Sequence, residues 1–180
     1  MSNLLVNKNG MAKILCCSGS VRSASANLRL LRCLQENFPQ YEWAYFDLSN
    51  LPLFLPAIDH APWPTAVESW RQAVYECQAV LLTTPAYLEN LPALVKNALE
   101  WLTTSGELRH KPVLPITFTP HPPRGERAMQ SLLWSLQALE ARVVAQLPLY
   151  QNEMTEEGGA YTLDNELEEV IAESLKLLVG

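Results

Sequence analysis

The sequence predicts an α/β domain built on a doubly wound parallel sheet, and three observations carry that expectation. Apolar runs such as AKILCC (12–17), AVLLTT (79–84) and PVLPITF (112–118) show no internal alternation, the pattern of strands buried on both faces. Segments with apolar residues at helical spacing separate them. Strand and helix keep alternating along the chain without an internal repeat, which implies right-handed crossovers and one parallel sheet.

AKILCC is the first strand, and a polar loop leads from it into a helix over Ser25 to Asn37. YEWAYFDL (41–48) is the second strand, followed by the Pro-rich connection LPLFLPAIDHAPWP and a helix that ends near Cys77. AVLLTT is the third strand, stopped by Pro85. Pro92 stands where a first helical turn favours proline and opens PALVKNALEWLTT. PVLPITF is the fourth strand, a helix over Glu126 to Glu140 follows, and RVVAQLPLY (142–150) is the fifth. The tail places apolar residues at 163, 167, 170, 171, 175 and 178, with acids from Glu166 to Glu169 early and Lys176 late, as a helix dipole favours. Such units fit the flavodoxin-like order 2-1-3-4-5, with helices on both faces of a five-stranded sheet. Residues 12–180 read as a single domain, and residues 1–11 as an appendage that ends at a second methionine, Met11.

Composition excludes several classes. The chain has 180 residues, 48% hydrophobic and 18% charged, with a formal net charge of −6, which suits a globular domain and disfavours a nucleic-acid partner. Any anionic ligand must therefore meet a local positive site. Cys16, Cys17, Cys33 and Cys77 show no C-x-x-C spacing and read as buried thiols of a reducing compartment. His60, His110 and His121 are scattered, without a zinc-ligand pattern. No segment approaches the roughly 20 apolar residues of a membrane span, and no basic-then-apolar leader opens the chain. A cytoplasmic address with no membrane partner is the expectation.

In an open sheet of this order, ligands sit beyond the carboxyl ends of the strands near the switch point between strands 1 and 3. That directs attention to loops 18–25, 85–91 and 118–125. The first is rich in small hydroxyls, with Ser18, Ser20, Ser23 and Ser25 around Arg22 and ahead of Asn27. A helix amino terminus there presents unpaired N–H groups and partial positive charge, already an anion site. Ser20, Ser25 and Asn27 add neutral donors, and Arg22 adds a fork matched to phosphate oxygens. The competing account is that Ser23 or Ser25 simply caps the helix while Arg22 faces solvent. Neither the lysine-bearing P-loop nor G-x-G-x-x-G occurs.

At these residues the chain resembles the NADPH-dependent FMN reductase family, which includes chromate, quinone and azo-dye reductases. GSVRSASAN is similar to that family's G-S-x-R-x-x-S-x-N phosphate loop, and TPAYLENLPALVKNALEWL to its P-E-Y-N-x-x-x-P-x-x-L-K-N-x-x-D-W segment. HKPVLPITFTPHPPRGERAMQSLLWSLQAL resembles its third loop and helix, with K-P-V before the strand and G-G-x-R after it. The resemblance implies FMN held between the three loops. Ser20, Arg22, Ser25 and Asn27 would bind its phosphate; Pro85, Ala86, Tyr87 and Leu88 would border the isoalloxazine ring, largely through backbone groups. The third loop, from Thr119 through Arg124 to Gly125, would close the site.

Three departures fall in the ring half. Leu88 replaces the usual Asn, Ala86 the frequent Glu, and Arg124 the first glycine of the pair. The resemblance further implies an enzyme whose hydride chemistry belongs to the flavin, with NADPH or NADH as donor in a ping-pong reaction. A quinone, free flavin, azo compound or oxidised metal would be the small-molecule acceptor. Tyr87 would pack on the ring or the nicotinamide, and Arg124 would be a cation beside reduced flavin. Trp101 and Leu102 would enter the interface of a homodimer or dimer of dimers. One alternative is a flavodoxin-like binding or regulatory protein with a weakened or lost flavin site. Another, a nucleotide-sugar hydrolase or transferase, needs a pocket carboxylate as nucleophile, and Glu89 is the acid these loops offer.

Overall fold

The computed structural model describes residues 11–22 and 24–180. The expected appendage therefore lies almost wholly outside the described residues, as does Ser23. The main elements are β1 (Lys13–Ser18), α1 (Ala26–Asn37), β2 (Glu42–Phe46), α2 (Thr65–Glu76), β3 (Ala79–Thr84), α3 (Ala93–Glu100), β4 (Pro112–Thr119) and α4 (Glu126–Ala138). They are followed by β5 (Arg142–Val143), β6 (Leu147–Tyr150), β7 (Thr155–Glu157), β8 (Ala160–Thr162) and α5 (Asn165–Val179). The sheet runs in the order β2-β1-β3-β4-β5, all parallel, with β6 also on β4. This is the expected flavodoxin-like order.

Side chains divide by parity of position, as a pleated strand requires. Ile14 and Cys16 of β1 pack with Leu30, Leu31 and Leu34 of α1 and with Ile171, Leu175 and Leu178 of α5. Leu15 and Cys17 face the opposite layer, where Val67 and Trp70 of α2, Val95 and Leu99 of α3, and Leu132 and Leu136 of α4 gather. Both layers are apolar, so both faces of the central strands read as apolar in sequence.

Two stretches depart from expectation. The single fifth strand is two short ones. From Val143 to Leu147 the chain advances four residues while its partner advances three, from Val113 to Ile116, so one extra residue interrupts the ladder. The antiparallel hairpin β7–β8 was not foreseen, because Thr155, Glu156 and Glu157 are all exposed and carry no apolar run.

Trp101 corrects a further expectation. It is 0% exposed within the single chain, so burying it needs no second copy. Its indole Nε1 donates to Pro52 O at 2.8 Å, and its ring meets Phe54 edge-on at 5.1 Å. Asn97 donates to the same Pro52 carbonyl at 3.0 Å and accepts from Phe54 N at 2.7 Å. Asn97 and Trp101 thus strap the Pro-rich connection onto α3, and the wide apolar stripe of this helix serves the core.

Candidate functional site

The carboxyl ends of β1, β3 and β4 carry the three loops toward one another. Loop 1 begins at Gly19, whose N–H donates to Thr83 O at 2.7 Å. A Cβ there would lie 2.7 Å from Val95 Cγ2 and 2.8 Å from Thr84 Oγ1, so packing against β3 and α3 demands glycine. Ser18 Oγ accepts from Ser20 N and donates to Ser20 O, both at 3.1 Å, which turns the chain. Ser25 N donates to Arg22 O at 2.8 Å, and Ser25 Oγ caps α1 by accepting from Leu28 N at 3.2 Å. Capping and anion binding are therefore compatible at Ser25, since the cap itself aims the helix terminus at the loop. Arg22 is exposed, and no described carboxylate pairs with it.

Asn27, in the first turn of α1, is 3% exposed. Its Nδ2 donates to Phe118 O at 3.3 Å, tying α1 to β4, while its Oδ1 has no protein partner. Loop 2 closes on itself: Tyr87 and Asn90 exchange two backbone hydrogen bonds of 3.0 Å across Leu88 and Glu89. Both intervening residues have positive φ, 50° and 61°, the geometry of a tight hairpin turn. Leu88 is consequently at the tip, 99% exposed. In loop 3, Thr119 Oγ1 donates to Arg124 O at 2.6 Å, and Arg124 Nη2 reaches Ala86 O at 3.4 Å. Gly125, at φ 104°, precedes α4, and a Cβ there would come within 3.0 Å of Thr119 Cγ2.

These loops enclose a cavity of about 350 Å³. Ser20, Arg22, Ser25 and Asn27 line one end, and Pro85, Ala86, Tyr87, Thr119 and Arg124 another part of the wall. Nine of the sequence-named residues thus share one cavity. Leu88 and Gly125 do not line it: Leu88 projects from the turn, and Gly125 supports loop 3 from behind. Two polar lining residues escaped the sequence reading, Arg29 and Gln151. Arg29 lies four residues after Ser25, on the same helix face as the cap, and that spacing is the signal that could have found it. Gln151 follows β6 and has no motif around it.

The lining sets the α1 amino terminus, its hydroxyls and Arg22 beside a wall of Pro85, Ala86, Tyr87 and Thr119 that also carries Arg124. That fits a phosphorylated ligand with a polar linker. The amides of the first helical turn and Arg22 suit a phosphate, and the free Oδ1 of buried Asn27 suits a ligand hydroxyl. Among the described residues no cluster of His, Cys, Asp or Glu is placed to hold a metal ion.

A model of the NADPH-dependent FMN reductases matches residues 12–153, which include all three loops. The chain belongs to that family. It is 32% identical over 96 residues to an NADPH:quinone oxidoreductase of Arabidopsis thaliana, covering 51% of this chain and 49% of that one. It is likewise 32% identical over 99 residues to an NAD(P)H-dependent FMN reductase of Pseudomonas aeruginosa, covering 53% and 52%. The chain thus spans about half the length of these curated relatives. In fold it is similar to the flavoenzyme NAD(P)H:(acceptor) oxidoreductase of Paracoccus denitrificans, with a TM-score of 0.77 at 21% identity over 93% of this chain and 97% of the other. FMN, the cofactor named in the family's description, is a ligand of the chemistry that the cavity lining fits. Among the described residues no helix is long and apolar enough to cross a membrane.

Proposed function

We propose that this chain is an FMN-dependent oxidoreductase that takes hydride from NADPH or NADH and passes the electrons to a small oxidised acceptor. The observation that carries this reading is the cation- and hydroxyl-lined cavity at the amino terminus of α1, in a chain whose net charge is −6. Ser20, Arg22 and Ser25 would hold the phosphate with the first-turn amides, and Asn27 would accept from a hydroxyl of the linker. Pro85, Ala86 and Tyr87 on one side and Thr119 and Arg124 on the other would border the ring. Leu88 contributes there through the turn it forms. Bound FMN would supply the hydride chemistry, so the chain needs neither an acid nor a nucleophile of its own. Arg124, held against Ala86 O, brings a cation to the rim, where it favours negative charge developing in the site.

Relatives named as quinone reductases favour a quinone as acceptor; a free flavin, an azo compound or an oxidised metal ion are the other candidates. Because donor and acceptor would use one cavity in turn, the kinetics should be ping-pong, with parallel double-reciprocal lines. The reading includes a cytoplasmic enzyme that works as a homodimer. Light scattering at micromolar concentration checks the assembly, and a particle of the 20.2 kDa chain alone would end that part.

The binding test is direct. Arg22→Ala removes a charge-assisted pair, a loss of about 1.5–3 kcal/mol. FMN affinity should therefore fall about tenfold or more, with riboflavin affinity unchanged and NAD(P)H-driven quinone reduction restored at high FMN. Equal affinity of the wild type for FMN and riboflavin would remove the phosphate site. One observation favours a second reading, a flavodoxin-like regulatory protein: the Arg124 side chain spans from loop 3 to loop 2. Absence of any visible-range flavin binding would decide for it.

A further inference from the structure

Arg29 is held by a hairpin that lies beyond the residues the family model matches. Its Nη1 donates to the Glu156 carboxylate and, at 3.1 Å, to Gly159 O; its Nη2 donates to Tyr161 Oη at 3.0 Å. The guanidinium also stands 4.6 Å from the centre of the Tyr161 ring. Tyr161 in turn packs edge-on against Phe118 at 5.1 Å, the residue whose carbonyl takes the Asn27 amide. The hairpin is therefore connected, contact by contact, to Phe118, which lines the same cavity as Arg29.

A hairpin anchor alone does not account for this arginine. Its Nε is buried and without a protein partner, although a guanidinium carries five donors and a buried unpaired N–H is unfavourable. The residue sits in the same lining as Arg22, Ser25 and Asn27. A dianionic phosphate there would meet two cations rather than one. Glu156 is the charge that offsets the second of them, and at 44% side-chain exposure it lies where solvent can take its place.

Resting on the flavin-phosphate reading above, we propose that Arg29 is the second cation of the phosphate site. The β7–β8 hairpin positions it through Tyr161 and Gly159, and Glu156 attenuates it by competing with the phosphate for the guanidinium. Phosphate affinity is then set from a segment more than a hundred residues away in sequence.

The test titrates the full chain, freed of flavin, with FMN and with riboflavin. Arg29→Met keeps the apolar stem and should weaken FMN about tenfold while leaving riboflavin unchanged. Glu156→Gln keeps an acceptor but removes the competing charge, so FMN should bind about three- to tenfold tighter, again without effect on riboflavin. Tyr161→Phe keeps the ring and should weaken FMN alone, by a few-fold. A parallel loss of both ligands in Arg29→Met, or an unchanged FMN-to-riboflavin ratio, would make Arg29 a hairpin anchor and overturn the proposal. If Arg29→Met does not fold, Glu156→Gln decides, because an exposed carboxylate is replaced there by its neutral isostere. The two levels fail differently. A wild type that does not prefer FMN to riboflavin overturns the phosphate site and this inference together. A preference abolished by Arg22→Ala but indifferent to both Arg29→Met and Glu156→Gln overturns this inference alone.

Discussion

Leu88 shows how a single departure from a motif acts through the backbone. A two-residue turn with both φ values positive favours Asn or Gly, because a Cβ in the left-handed region crowds the carbonyl; the cost is roughly 1–2 kcal/mol for an ordinary residue. Leucine accepts that cost here, at φ 50°, with its side chain almost wholly in water. Leu88→Asn should accordingly stabilise the fold by about 1 kcal/mol, since Asn tolerates this conformation. For a chain of this size that is a rise in Tm of roughly 2–4 °C, measurable in a thermal melt, with no loss of FMN affinity. A lower Tm would show that the exposed leucine is covered by something else in solution. Arg124 is the contrasting case. It is not among the positive-φ residues, whereas Gly125 is, at φ 104°. The turn requires its glycine at 125, and position 124 has no such requirement.

Among the elements, those with buried faces were legible in the sequence. β1, β3 and β4 are apolar on both sides because helices cover both sides, and α1 and α5 show their buried rows at helical spacing. That the loops after β1, β3 and β4 share one cavity was legible for the same reason, since sheet order fixes where the carboxyl ends converge. What escaped was structure held by backbone and charge. The β7–β8 hairpin is three residues on each side with an exposed first strand, and its one local signal was the Gly158–Gly159 pair, both at positive φ. The end of α2 is a similar case. Lys111 Nζ donates to Val74 O and Cys77 O at 2.6 Å and to Tyr75 O at 3.2 Å, so a cation from the start of β4 closes the negative end of another helix. The K-P-V motif gives no hint of that contact, because it is made across the fold. Trp101 was misplaced for a related reason: a helical stripe shows that a face is buried, and the strap at Pro52 and Phe54 that buries it comes from elsewhere in the chain.

At the scale of the whole molecule, the proposed phosphate loop could be named because its residues are contiguous, while the Arg29–Glu156 pair joins positions that no local pattern relates. The same holds for the titration of the interior. Cys16, Cys17, Cys33 and Cys77 are distributed along the chain, yet all four are buried in the folded state. Burial, the first cause at each, raises every thiol above its ordinary value of 9.0. Burial also pushes Tyr45 from 10.0 up to about 12. A group whose pKa is raised on folding stabilises the native state fully below its unfolded value and loses that contribution as pH rises toward its folded value. The four thiols therefore act together from pH 9.0 upward and Tyr45 joins them from 10.0, since the unfolded chain releases protons there that the folded chain retains. Lys111 opposes them. Desolvation lowers it from 10.5, so its contribution grows with pH up to that value, but it is one group against several. The expected result is a stability plateau near neutrality and a steep fall above pH 9, in reducing buffer. Each buried thiol contributes at most about 1.4 kcal/mol per pH unit to that slope. Cys17→Ala should lower stability at pH 7.5, through the small cavity it leaves, but should make the alkaline fall measurably shallower than in the wild type. Denaturant unfolding of both proteins between pH 7.5 and 10.5 makes the comparison, and parallel slopes would show that the interior thiols do not govern alkaline stability.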